Sequence, residues 1–180
     1  YGQYALVFLG MMLLMSLQQA LFIQPSQTLF PRFTRIRQQR LTGALLSVAL
    51  PVLILISLVF ELVFTQIYSP DCVPGILTIV CFIWLISDLL RKLVILTQPT
   101  VSMVLIDALN AILFISLILL MSPDSLSLAM AILGISSLIG FGFIGILKPI
   151  FPSSRMIRFY ISKAWKTAGW MLLTSTVQWS

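Results

Sequence analysis

The side chains able to do chemistry are few, and most of them interrupt long apolar stretches. Trp84-Leu-Ile-Ser-Asp88-Leu-Leu-Arg91-Lys92 sets an acid three and four residues before two bases. Asp107 and Asn110 stand three apart, which is one face of a helix. Gln18 and Gln19 fall in the second half of an earlier apolar run, and Glu61 toward the far end of another. Charged groups in hydrocarbon-length segments are costly, so each marks an edge, a pairing or a pathway.

Other chemistries find little material. There is no His, which removes the commonest acid–base group and the commonest metal ligand. Cys72 and Cys81 match no metal or redox spacing. No catalytic residue, metal or cofactor is expected. Gly140-Phe-Gly142-Phe-Ile-Gly145 matches the glycine pattern of dinucleotide sites, but that motif needs a preceding strand and a helix N-terminus in water. Here it lies inside an apolar span. Gly134, Gly140, Gly142 and Gly145 are expected instead to let another helix pack closely, with a flexible hinge as the other reading.

The elements that must position these groups follow from hydropathy. The chain is 59% hydrophobic and 9% charged, with a mean hydropathy of +1.08. A soluble domain is about a quarter charged, so too few polar side chains remain to solvate a surface. An integral membrane protein is expected, all-α, and the net charge of +6 gives no reason to invoke nucleic acid.

Five apolar runs, at about 4–23, 41–67, 76–96, 101–121 and 126–147, are long enough to span, since a crossing needs about 20 residues. A sixth, 167–180, is shorter and is expected to be the beginning of a further span. No signal peptide is visible, and both ends are expected to be cuts through a larger protein. Gln24-Pro25-Ser26-Gln27 is expected to break the first run, with a basic loop after it. Pro51 is expected to kink the second run near Ser47–Pro51 by removing a backbone donor.

The bases decide orientation. All 11 Lys and Arg fall in or beside the loops after the first, third and fifth runs: Arg32, Arg35, Arg37 and Arg40; Arg91 and Lys92; Lys148, Arg155, Arg158, Lys163 and Lys166. The alternate loops carry only Asp71 and Asp124. That alternation is the positive-inside pattern. It puts the first residue outside and the basic loops in the cytoplasm. Residues 153–166 differ from the rest. Ile157, Tyr160, Ile161, Ala164 and Ala168 recur at helical spacing opposite Arg155, Arg158, Ser162 and Lys166, the pattern of an amphipathic helix on the cytoplasmic face.

Within this frame Asp107, about 9 Å in from Val101 at 1.5 Å per residue, lies in the cytoplasmic half of the membrane with Asn110, Gln18, Gln19 and Asp88. Together they could line a cavity open to the cytoplasm. The plainer reading has Asp88 pairing with Arg91 or Lys92 along its own helix and Asp107 bonding a neighbouring helix. Glu61 is expected to snorkel to the outer interface. The basic cluster at 32–40 would contact lipid headgroups or grip phosphate through arginine forks.

Several stretches in register resemble polysaccharide flippases of the multidrug/oligosaccharidyl-lipid/polysaccharide exporter superfamily. Tyr1-Gly-Gln-Tyr-Ala-Leu-Val-Phe8 resembles the start of their second helix. Asp88-Leu-Leu-Arg91-Lys92 resembles an acid-x-x-Arg-Arg element that ends a helix in some members. Gly169-Trp170-Met-Leu-Leu-Thr-Ser-Thr-Val-Gln-Trp179 resembles the entry to the second lobe after a cytoplasmic linker.

The resemblance covers about helices two to seven. It implies a polytopic transmembrane helix bundle at 1–152 forming one lobe of a two-lobed transporter, a linker helix at 153–166, and the start of the second lobe at 167–180. It also implies alternating access to a central cavity in a bacterial cytoplasmic membrane. The implied partners are membrane lipid, a lipid-linked glycan as substrate and enzymes of glycan assembly.

In that reading Asp107, Asn110, Gln18 and Gln19 line the substrate cavity. Asp88, Arg91, Lys92, Arg35, Arg37 and Arg40 form a cytoplasmic rim that draws in the headgroup, and Pro51 with the four glycines allows bending. The resemblance also implies cationic cavity residues to hold pyrophosphate, whereas these spans carry acids and amides. Rival readings are a cation-coupled multidrug antiporter of the same superfamily, a membrane enzyme subunit of glycan assembly, and a non-transporting membrane scaffold.

Overall fold

A computed structural model describes the backbone at residues 2–68, 74–97, 101–123 and 125–179, and the side chains there except at 2–4, 67–68, 102 and 171–179. The expected turns at Asp71 and Cys72, at 98–100 and at Asp124 lie outside the described residues. The described chain is almost entirely helical and contains no strand. Its helices are α1 (Gly2–Gln18), α2 (Gln24–Leu29), α3 (Arg35–Tyr68), α4 (Ile76–Thr97), α5 (Val101–Met121), α6 (Leu126–Ser137), α7 (Phe143–Leu147) and α8 (Ser154–Trp179).

The expected break after the first run is no break. A π-helical turn, Gln19–Ile23, joins α1 to α2, and the Gln24 N–H bonds Gln19 O five residues back. The cause is Pro25, which cannot donate to the carbonyl one α-turn earlier; widening the turn re-pairs the ladder around the gap. Ser26 Oγ then donates to Phe22 O at 2.6 Å. The basic loop is also shorter than expected. Arg35, Arg37 and Arg40 lie on the first turns of α3, where Arg and Gln are good helix formers, and only a short 3₁₀ turn, Phe30–Arg32, and two residues separate it from α2.

Among the described residues, four segments are long and apolar enough to cross a membrane: Ala5–Arg32, Arg35–Gln66, Met103–Met121 and Leu126–Leu147. The chain is therefore membrane-embedded in character. α4 is 22 residues long but holds Asp88, Arg91 and Lys92, so it falls short of that standard although it is the most enclosed helix. Its buried residues, among them Leu77, Val80, Leu85, Leu89 and Leu93, face α3 on one side and α6–α7 on the other. α5 is the opposite case, with no residue of its apolar window buried. Against lipid tails apolar burial gives little driving force, so close packing and interhelical hydrogen bonds hold such helices together.

The expected kink site lies within one continuous helix, α3, 34 residues long with Pro51 inside. The fifth apolar run is less regular than expected. Ser136 Oγ and Ser137 Oγ both donate to Leu133 O, at 2.9 and 2.7 Å, and back-bonding of this kind bends helices. The chain then tightens into a 3₁₀ segment, Leu138–Gly142, before α7. Lys148, at φ +44°, ends α7 in the left-handed conformation, and Pro149 prevents continuation.

α8 runs unbroken from Ser154 to Trp179, across the expected boundary between linker and second lobe at 166/167. Tyr160, Ala164 and Ala168 are buried where α8 packs on the first helix and α3. Ile161 and Trp165 on the neighbouring stripe remain exposed.

Two ends of the bundle can be told apart. Arg35, Thr97 and Leu147 meet at one small pocket, so the start of α3 and the ends of α4 and α7 share an end. Ile150 N–H donates to Gln39 O, which brings the start of α8 to the same place. Glu61 and the N-terminus of α4 lie at the other end.

Candidate functional site

The polar groups of α4 and α5 converge on one pocket. Trp84, Ser87, Asp88 and Arg91 follow one another at helical spacing, so one face of α4 carries them all. Asp107 and Asn110 do the same on α5. The pocket between them is about 150 Å³ in volume, and Met15, Ile106, Ser137, Gly140 and Phe143 complete its wall. Gly140 has to be glycine: a Cβ there would collide with Ser87 Oγ and crowd Ser87 Cβ. The 3₁₀ segment thus presses against α4 beside the charged cluster.

Two ion pairs set the electrostatics. Arg91 Nη2 lies 3.0 Å from Asp107 Oδ2, with side chains 48% and 30% exposed. Lys92 Nζ lies 2.8 Å from Asp88 Oδ2 along α4. The two acids and two bases balance, so the cluster carries no net charge. Arg91 and Asp107 belong to different helices, whereas Asp88 and Lys92 share one. Only the first pair can report or control the spacing of α4 and α5. Asn110 Oδ1 is buried beside it with no hydrogen-bond partner among the described residues, an acceptor that a ligand donor or water in the pocket could satisfy.

The two glutamines divide. Gln18 is 0% exposed, and its Nε2 donates to Leu85 O at 3.0 Å, tying the first helix to α4; its Oε1 has no partner among the described residues. Gln19 Oε1 accepts from Lys92 Nζ at 3.4 Å. Gln18 therefore acts as a tie between helices, and Gln19 extends the charged cluster toward α1. The π turn beginning at Gln19 adds a residue to the coil at this point.

The expected rim residues occupy separate places. Arg91, Lys92 and Asp88 belong to the cluster just described. Arg35 borders the small pocket with Thr97 and Leu147, Arg37 borders a different groove beside α8, and Arg40 is exposed. The expected packing glycines also part ways. A Cβ on Gly134 would meet Val80 Cγ2 at 3.0 Å, one on Gly142 would make ordinary contact with Ile106, and one on Gly145 would meet nothing.

Some positions escaped the sequence reading. Gly43, where a Cβ would strike Ile150 O, and Gly10, where it would strike the Phe60 ring, are close-contact positions too. Trp84, Ser87 and Ser137 line the pocket, and for the first two a signal existed in their spacing from Asp88 and Arg91. Glu61 does more than snorkel. Its carboxylate accepts hydrogen bonds from Gly75 N–H, from Thr78 N–H at 2.9 Å and from Thr78 Oγ1, capping the N-terminus of α4 from α3. Gly75 takes φ +86° to present that N–H, a conformation glycine adopts without strain.

No protein family, curated protein or solved structure matches the chain in comparison.

Proposed function

We propose that the chain is a lobe of a two-lobed transporter that moves lipid-linked polysaccharide or oligosaccharide precursors across a bacterial cytoplasmic membrane by alternating access. The observation that carries this reading is the Arg91–Asp107 pair across α4 and α5 at a polar pocket. A carboxylate held by one half-exposed arginine can exchange that partner for a substrate hydroxyl, which frees the guanidinium for an anionic headgroup, without opening the apolar core. Sugar hydroxyls are donors and acceptors both, so they suit a pocket lined by Asp107, Asn110, Ser87 and Ser137.

In this reading the spans are the first helix, α3, α4, α5 and α6–α7, with α8 leading into the other lobe. Because the described bases gather toward one end of the bundle, that end faces the cytoplasm by the charge rule. Arg91 and Lys92 then stand where an anionic headgroup would enter. Asp107→Asn in the complete protein is expected to cut glycan export by on the order of ten-fold, the factor set by loss of one charged hydrogen bond. Undiminished export at normal membrane abundance would remove Asp107 from the substrate path.

A second reading has one observation in its favour. Asp107, 30% exposed, is reachable by a small cation, as a cation-coupled drug antiporter would require. Transport that follows a proton or sodium gradient and is lost with Asp107→Asn would select that reading over glycan flipping.

A further inference from the structure

The end of the bundle that carries most of the bases holds a second pocket, about 340 Å³ in volume, between α3 and α8. That volume is in the range of small-ligand sites, which begin at about 300 Å³. Its construction begins with the segment linking α7 to α8. Ile150 N–H donates to Gln39 O at 3.2 Å, and the missing Cβ of Gly43 makes room for Ile150 O. The first turns of α8 are thereby fixed beside the first turns of α3. Leu41, fully buried, and Met156 give the pocket an apolar floor. Phe33 and Phe159 form one wall, edge to face with centroids 6.1 Å apart.

Two arginines border this apolar pocket. Arg37 comes from α3 and Arg155 from α8, both exposed. Neither has an ion-pair partner among the described residues. In the same stretches of chain Ile36 is 62% exposed and Phe151 is 100% exposed. An apolar pocket bordered by unpaired cations, with bare apolar side chains nearby, matches a molecule that has an anionic head and a hydrocarbon tail. A free phosphate ion would use the guanidinium groups and leave the aromatic wall idle.

We propose that this groove is a binding site for an anionic glycerophospholipid. Arg37 and Arg155 grip the headgroup phosphate through their planar forks, and the Phe33–Phe159 wall with Leu41 and Met156 takes the first part of an acyl chain. Ile36 and Phe151 enter the surrounding lipid, as apolar residues of interfacial segments do. The bound phosphate bridges α3 to α8. The site rests on the membrane-embedded character of the chain and does not depend on what the α4–α5 pocket transports.

The test uses the purified chain in nanodiscs of phosphatidylcholine containing a minor fraction of phosphatidylglycerol, with retained lipid counted by mass spectrometry after detergent extraction. Phosphatidylglycerol should be enriched over its bulk share. Arg37→Gln with Arg155→Gln should lower that enrichment by roughly five-fold per arginine, the factor expected for a basic residue at an anionic surface. Lys163→Gln with Lys166→Gln removes the same charge from exposed positions on α8 outside the groove and should leave it unchanged. Equal loss in both pairs means diffuse basic attraction, and an unchanged Arg37/Arg155 pair means no site; either result overturns the proposal.

Phe159→Ala separates the sources of phosphate. It should weaken lipid retention while leaving any binding of inorganic phosphate as it was. Arg37-dependent binding of inorganic phosphate together with lipid retention indifferent to Phe159→Ala would make this an ion site and refute the lipid assignment. Because a misfolded variant could mimic loss of binding, each protein is compared by circular dichroism. Arg37→Lys with Arg155→Lys, which keeps the charge and loses the fork, should retain an intermediate enrichment.

Discussion

Glu61 and Asp107 are both carboxylates on apolar helices, and both reach a neighbouring helix, yet their settings are opposite. Glu61 is held by two backbone N–H groups and a hydroxyl at the start of α4. Those N–H groups are the ones a helix cannot satisfy internally, and a negative charge there also meets the positive end of the helix dipole. Asp107 is held by one side chain, Arg91, which is itself half exposed. Fixed backbone donors make a joint, whereas a single flexible partner makes a contact that can be exchanged. The difference separates a carboxylate that builds the bundle from one that can serve a ligand.

The largest expected effects on stability are at the joint and at the tight contact beside the site. Glu61→Ala should lower the unfolding free energy in detergent by about 2 kcal/mol, the size of a lost charged cap, with export falling only in proportion to the folded protein present. A stability unchanged by Glu61→Ala would erase the contrast between the two acids.

Next is the tight contact beside the site. Gly140→Ala should cost about 1–3 kcal/mol through overpacking against α4, and adding Ser87→Gly should restore part of it. A double-mutant cycle on thermal unfolding measures that coupling. Additive losses would mean that the two residues do not meet.

Asp107→Ala should move stability by less than about 1 kcal/mol, as partly exposed ion pairs do, while export falls steeply. A large loss of stability with normal activity per folded molecule would turn Asp107 into a second joint and reverse the comparison. Gly145→Ala is the smallest change. Nothing lies where its Cβ would stand, so the variant should stay within about 0.5 kcal/mol of the parent and gives a baseline for Gly140→Ala.

Much of the helix pattern was legible in the sequence because hydropathy and length report it directly. The fourth run coincides with α5, Val101–Met121, and the third ends one residue before α4 does. Asp88 with Lys92 was legible as well, since a four-residue spacing on a helix is a local fact. Polar residues that join different helices were not. Asp107 could be seen as a candidate acid, but its partnership with Arg91 depends on how α5 lies against α4. Glu61 looked like a residue reaching for the interface because its partners, Gly75 and Thr78, come from the next helix. Gln18 looked like a cavity residue because amide chemistry is visible in a sequence and burial against Leu85 is not.

The break after the first run was misread for a related reason. Pro25 is a helix breaker by local rule, yet it sits inside continuous helical structure. At Pro25 a π turn and the Ser26 hydroxyl make good the missing donor, and in a bilayer a helix is retained because an unpaired backbone group finds no water.

The sequence by itself determined that this chain is helical and membrane-embedded in character. These are one-dimensional properties, fixed by how each segment partitions between water and hydrocarbon. Only the tertiary structure decided that Glu61 takes backbone donors while Asp107 takes a single side chain, which glycines are contact points, and that Arg37 and Arg155 border one groove. Those outcomes depend on atoms far apart in the chain being brought within a few ångströms. Against lipid tails, where apolar burial drives helix association only weakly, that placement is set by steric fit and a handful of polar contacts that no single segment contains.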